Sequence, residues 1–159
     1  QGDWSSDVCS SDLIEVIRKL WRGGYQSHRG EFYTFPELAI APAPSEPVPV
    51  YIGGASEPAF KRAARSGQGW IGAGNKIDEV APILARLNTL RREYGTYSEP
   101  FETVVAIEEM HEVARLKELE DQGLTSLVFG YAHSYTDSLD QKRAQMDVFA
   151  DRIMAKFSV

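Results

Sequence analysis

Cysteine is almost missing: Cys9 is the only one in 159 residues. A disulfide framework and a multi-cysteine metal site are therefore excluded. No basic stripe runs along any segment, and the formal charge is −6. Nucleic acid is accordingly not expected as a partner. No apolar run approaches the length needed to cross a bilayer, so no membrane is expected either. The N-terminus lacks a basic region followed by an apolar core, so no secretory signal is visible and the cytoplasm is the default compartment. No G-x-G-x-x-G follows a predicted strand, which leaves a dinucleotide-binding Rossmann reading without its main support. What remains is ordinary globular composition, 43% hydrophobic and 25% charged, enough for one domain.

The first thirteen residues look foreign to the rest. Asp3–Leu13 (DWSSDVCSSDL) resembles the in-frame translation of a sequencing-library adapter. Residues 1–13 are therefore read as a foreign, disordered leader and residues 14–159 as the domain. On this reading Trp4 and Cys9 carry no biology, the gene is cut before Ile14, and the chain is a fragment. Ile14–Arg22 follows as a helix with Ile14, Ile17, Leu20 and Trp21 on one face. Ser11 and Asp12 are placed to cap it by accident.

The most informative stretch is Pro47–Gly74, PVPVYIGGASEPAFKRAARSGQGWIGAG. A strand over 48–52 runs into Gly53-Gly54. Ser56 is a good helix N-cap, with Glu57 and Pro58 in the first turn. Phe60, Ala63 and Ala64 keep helical spacing, and Gly67 is a natural C′ stop. A second strand over 69–72 ends in another glycine-rich turn, Ala73-Gly74-Asn75. Strand, glycine loop, helix, strand is the βαβ unit of a parallel sheet. Glycines let the backbone approach a ligand, and the helix start offers free N–H groups and a positive dipole end. An anion would be at home against Gly54, Ala55 and Ser56, where the Ser56 hydroxyl either caps the helix or donates to that anion. The plainer alternative is a tight turn with an ordinary cap, and the charge of Glu57 argues against an anion.

Around this unit the pattern alternates. Tyr25–Pro44 reads as two short strands or an excursion ribbon, with His28 as a surface loop residue because no second ligand sits at metal spacing. Asp78–Tyr94 is a helix with Ile83, Leu84, Leu87 and Leu90 inward and Arg86, Arg91 and Arg92 on a solvated face. Phe101–Ile107 reads as a buried strand, Glu108–Gln122 as a helix and Thr125–Gly130 as the next strand. Leu139–Phe157 closes the chain as a helix with Leu139, Met146, Phe149, Ile153 and Phe157 on one face. The strict βα alternation predicts a parallel α/β sheet, either doubly wound or a barrel, and four units preceded by an orphan helix look like the second half of a (β/α)8 barrel.

The order IEVIRKLW, GEFYTF, APAPSEPVPV, YIGGASEPAFKRAARSGQGW and EDQGLTSLVFG resembles the C-terminal half of the luciferase-like monooxygenase family, over about Ile14 to Val159. That resemblance implies a (β/α)8 TIM barrel that binds FMN or the deazaflavin coenzyme F420. Members transfer hydride to and from the flavin-type ring or activate oxygen at reduced flavin. It also implies that Gly53, Gly54, Ala55 and Ser56 hold the cofactor phosphate and that Gly72 and Ala73 border it. A small-molecule substrate and a homodimer of the intact protein are implied as well. Trp70 begins its strand and reads as core rather than ring-stacking. Glu108, Glu109 and His133 follow strands toward the catalytic face, but no residue stands out as acid or base. Half a barrel exposes strand edges, so the polypeptide as written is expected to be inactive and to self-associate. The rivals are a non-catalytic phosphate-binding α/β module and a ligand-free scaffold.

Overall fold

The computed structural model describes residues 4–107, 112–129 and 137–157, with side chains from residue 11 onward. Helix α1 (Trp4–Trp21) leads into an antiparallel hairpin, β1 (Gln26–Arg29) and β2 (Thr34–Leu38). Then come β3 (Tyr51–Gly53), α2 (Glu57–Ser66), β4 (Gly69–Gly72), α3 (Ile77–Glu93), β5 (Glu102–Ile107), α4 (Val113–Asp121) and β6 (Ser126–Phe129). Helix α5 (Leu139–Phe149) passes through a π-helical turn (Ala150–Met154) into α6 (Ala155–Phe157). The four strands pair in parallel in the order β3-β4-β5-β6. Consecutive parallel neighbours joined through helices are what strict βα alternation demands.

The helices cover one face of this sheet. Ile52, Trp70, Val105 and Ile107 pack against Phe60, Ala63, Ala64, Val80, Leu84, Leu87, Leu90, Leu116 and Leu119. Along β5 burial alternates, with Thr103, Val105 and Ile107 buried. The strand read as buried is thus buried on one face, the face that meets the helices. On that other face Ile71 and Val128 are 42% and 49% exposed. Among the described residues, β3 and β6 are open edges.

Several expectations are revised. The strand predicted from Val48 starts only at Tyr51, because Pro47 and Pro49 have no N–H to give a ladder. Helix α1 begins at Trp4, ten residues before the start read at Ile14. Once IEVIRKLW forms a helix, adding residues to its N-terminal end needs no new nucleus. Val16, which the predicted stripe omitted, is buried in α1. Gly67 caps α2 with an extended φ of −83°, not as a left-handed stop. It is glycine because a Cβ there would meet the Ala63 carbonyl oxygen at 2.9 Å. In the closing helix Leu139 and Met146 are 63% and 58% exposed. Only Phe149, Ile153 and Phe157 of the predicted stripe reach the core.

Arg91 is not on a solvated face. It is buried, lies 4.4 Å from the Phe101 ring centroid, and donates to the carbonyls of Thr96, Tyr97 and Glu99 at 2.9, 3.2 and 2.6 Å. These bonds pin the turn that leads from α3 into β5. Burial lowers its pKa, partly offset by Tyr97 and Glu99.

His28 is also buried, in β1, rather than on a surface loop. Asp12 explains why: its Oδ1 lies 2.7 Å from His28 Nε2, and its Oδ2 accepts from the Phe32 and Tyr33 amides at 2.9 Å each. Asp12 therefore sits within α1 and ties that helix to the hairpin instead of capping it. The two amides, followed by His28, hold the Asp12 carboxyl below its ordinary value of 3.8. A depressed carboxylate stabilises the fold fully above its unfolded pKa, and that contribution is lost as pH falls through the folded value. The Tm difference between the wild-type chain and Asp12→Asn should be steady near neutrality and should shrink well below pH 3.8. A difference undiminished in strong acid would contradict this role.

Candidate functional site

Residues Gly53 to Ser56 form the loop between β3 and α2, and Gly72 and Ala73 begin the loop between β4 and α3. Gly53 stands beside Ile71 in the β3–β4 ladder. The two loops therefore leave the C-terminal ends of adjacent parallel strands, where ligands of parallel sheets bind. All six residues come to that end. Gly53, Gly54, Ala55, Ser56 and Ala73 are exposed, whereas Gly72 is buried.

The loop has a defined set of donors. Ser56 is the N-cap of α2, and its Oγ accepts from the Ala59 amide at 3.4 Å. The Phe60 amide donates to the Ser56 carbonyl at 3.0 Å. Pro58 has no amide hydrogen. Among the described residues, the amides of Ala55, Ser56 and Glu57 have no protein acceptor. The Ser56 hydroxyl uses a lone pair on Ala59, which leaves its O–H free to donate elsewhere. Cap and anion donor are thus compatible roles rather than alternatives.

Glu57, whose charge the sequence set against an anion, is ion-paired. Its Oε2 accepts from Arg86 Nε at 3.1 Å, its Oε1 pairs with Arg86 Nη2, and Lys61 Nζ lies at 3.9 Å. Arg86 in α3 is the main cause that lowers the Glu57 pKa, with a smaller part from Lys61. Its negative charge is matched locally by these cations, which also takes Arg86 off the plain solvated face expected for it.

Two glycines and one indole set the loop's shape. Gly54 has φ +113°, a conformation that side chains rarely adopt, and a Cβ there would come 3.2 Å from the Ala59 Cβ. A Cβ on Gly72 would fall 2.3 Å from Trp70 Cη2 and 2.4 Å from Asn75 Oδ1. Trp70 is fully buried, as its place at the start of a strand suggests, with its ring edge-on to Phe60 at 5.7 Å. Its Nε1 donates to the Gly54 carbonyl at 2.8 Å. The indole therefore spans both loops, with its N–H on one and its benzo edge against the other. Asn75 Oδ1 is buried there without a partner. Sequence reasoning missed Arg86, Asn75 and the Trp70 N–H as parts of this site. No spacing rule marks contacts made between separate loops.

Elsewhere, Glu108, Glu109 and His133 lie outside the described residues. Among the described residues no cluster of His, Cys, Asp or Glu can hold a metal, and no helix is long and apolar enough to cross a membrane. A cleft of about 750 Å³ lies beside Arg18, Trp21, Pro47 and Gln68, at the strands' N-terminal end and away from the two loops.

The parallel α/β fold matches that of F420-dependent enzymes of the (β/α)8 kind. The F420-dependent secondary alcohol dehydrogenase, solved with an F420–acetone adduct, superimposes with a TM-score of 0.72 at 13% identity, over 98% of this chain and 64% of that one. The sequence model for the luciferase-like monooxygenase family matches residues 10–110, and the chain belongs to that family of F420- or flavin-dependent oxidoreductases. An uncharacterized protein of Mycobacterium tuberculosis is 37% identical over 150 residues, which is 91% of this chain and 51% of that protein. An F420-dependent glucose-6-phosphate dehydrogenase of Segniliparus rotundus is 33% identical over 69 residues, 43% of this chain and 21% of the relative. The chain thus spans about half the length of the Mycobacterium protein. Members of the family use coenzyme F420 or FMN. The family match begins at residue 10, inside the segment read as foreign.

Proposed function

We propose that the Gly53–Ser56 loop, bordered by Gly72 and Ala73, holds the phosphate of FMN or coenzyme F420, and that the protein oxidises or reduces a small molecule with that cofactor. The observation that carries this reading is the trio of amides at Ala55, Ser56 and Glu57, which have no protein acceptor among the described residues and open a ten-residue helix. A helix start with free amides and a positive dipole end favours an anion. The residues present fit a phosphate. Gly54 at φ +113° shapes the loop that carries the amides, the Ser56 hydroxyl has a proton to give, and Arg86 pairs with Glu57.

The bound cofactor would supply hydride transfer, or reaction with oxygen when it is reduced flavin. This chain's own task is to hold and orient. The amides fix the anionic tail, Ser56 adds a hydroxyl donor, and the Trp70–Gly54 bond keeps the two loops in register. Hydride or oxygen chemistry belongs to the longer protein, for which a cytoplasmic homodimer is the matching proposal. The 159-residue chain by itself is proposed to bind the cofactor phosphate without turnover.

The test is a fluorescence titration of the folded chain with FMN and with F420. Saturable binding of one is expected, and Ser56→Ala should weaken it at least about tenfold, the scale of one hydrogen bond to a charged group. Binding of inorganic phosphate with neither cofactor bound would favour the non-catalytic phosphate module. Binding of none of the three would overturn the phosphate site.

A further inference from the structure

Building on the phosphate site proposed above, we infer that Trp70 is its positioning residue: the indole N–H fixes the Gly54–Ala55 peptide so that the Ala55 amide points at the anion. The Gly54 carbonyl accepts from Trp70 Nε1 at 2.8 Å, on the buried side of the loop. The Gly54–Ala55 peptide is trans. In a trans peptide unit the C=O and the following N–H point in opposite directions. Binding the carbonyl inward therefore turns the Ala55 N–H outward, where Ala55 is exposed and its amide has no protein acceptor among the described residues.

Without that bond the peptide is free to rotate about the torsions on either side. Gly54 sits at φ +113° and lacks a Cβ, so its own preferences do not hold one orientation. A flipped peptide would present a carbonyl oxygen to the phosphate and repel it. Trp70 is held rigidly enough to prevent this, being fully buried and packed edge-on against Phe60 at 5.7 Å. It also touches the second loop, where a Cβ on Gly72 would meet its Cη2 at 2.3 Å. The position of the indole is thus set by packing, and the position of the amide is set by the indole.

The experiment replaces Trp70 in the full chain with 3-benzothienylalanine, which keeps the bicyclic shape and exchanges N–H for sulfur. Trp70→Phe serves as the second variant. Backbone amide resonances are followed by NMR during titration with FMN, F420 and inorganic phosphate, with riboflavin as the phosphate-free control. In the wild-type chain the Ala55, Ser56 and Glu57 amides should shift with phosphate-bearing ligands. In the benzothienyl variant the Ala55 response should disappear, phosphate-bearing ligands should bind about tenfold more weakly, and riboflavin should bind as before. Ser56 and Glu57 should still respond at higher ligand concentration. A purely structural role for Trp70 would weaken FMN and riboflavin alike and would overturn the inference. So would an unchanged Ala55 response in either folded variant. If the wild-type amides respond to no phosphate-bearing ligand, the phosphate site itself fails, and that outcome is read from the wild-type chain alone.

Discussion

Trp70→Ala is expected to destabilise the chain by about 3–5 kcal/mol, the usual cost of emptying a buried aromatic site. Three contributions are lost together. The indole is fully buried, its ring meets Phe60 edge-on, and its N–H satisfies the Gly54 carbonyl at 2.8 Å. Removing the ring leaves a cavity between β4 and α2 and a loop carbonyl without its donor. A small domain holds about 5–15 kcal/mol in all, and this sheet has two open edges among the described residues. The variant should therefore unfold at a much lower urea midpoint. Trp70→Phe should fall between, because it keeps a ring against Phe60 and loses only the N–H and part of the volume. A midpoint for Trp70→Ala close to wild type would mean that the two loops are not organised by this side chain.

The second large effect is on binding. Gly54→Val places a β-branched residue at φ +113°, with its Cβ 3.2 Å from the Ala59 Cβ. Holding such a residue in a sparsely populated backbone region costs about 1–3 kcal/mol. The loop relieves that strain by changing its backbone, and the amides of Ala55 and Ser56 turn with it. Loss of affinity for FMN or F420 should be at least about tenfold and approach a hundredfold, since each 1.4 kcal/mol is a factor of ten. Circular dichroism should stay close to wild type, because the loop is exposed and the helix keeps its Ser56 cap. Affinity within twofold of wild type in a folded Gly54→Val chain would remove the loop from the binding site.

The parts of this molecule that were legible in the sequence share a short range. The spacing of Phe60, Ala63 and Ala64 marks the buried face of α2, and Ser56 marks its start, because both are decided within one or two turns. The alternation of strand and helix was enough for the parallel sheet. The parts that were not legible depend on residues brought together by the fold. Arg91 reads as an ordinary charge in the last turn of α3 until the 96–99 turn folds back to offer it three carbonyls. His28 reads as a loop residue until Asp12, sixteen positions earlier, reaches it. Glu57 reads as a repulsive charge until Arg86 pairs with it across two helices. Met146 and Leu139 show the opposite error. Their spacing suits a buried stripe, but α5 touches the core only through its far end. At the candidate site the glycines and the serine were visible, while the indole N–H that orients their backbone was not.

The Gly53–Ser56 loop is proposed to recognise a cofactor through its phosphate. The most direct measurement compares the affinity of the folded chain for FMN and for riboflavin, with F420 and its phosphate-free chromophore as a parallel pair. The two members of each pair differ in the tail that the amides of Ala55, Ser56 and Glu57 are proposed to hold. In one of the pairs the phosphate-bearing member should bind at least about tenfold more tightly, the scale of one hydrogen bond to a charged group, and inorganic phosphate should narrow the gap by competing for the loop. Equal affinities within both pairs, untouched by phosphate, would contradict the account.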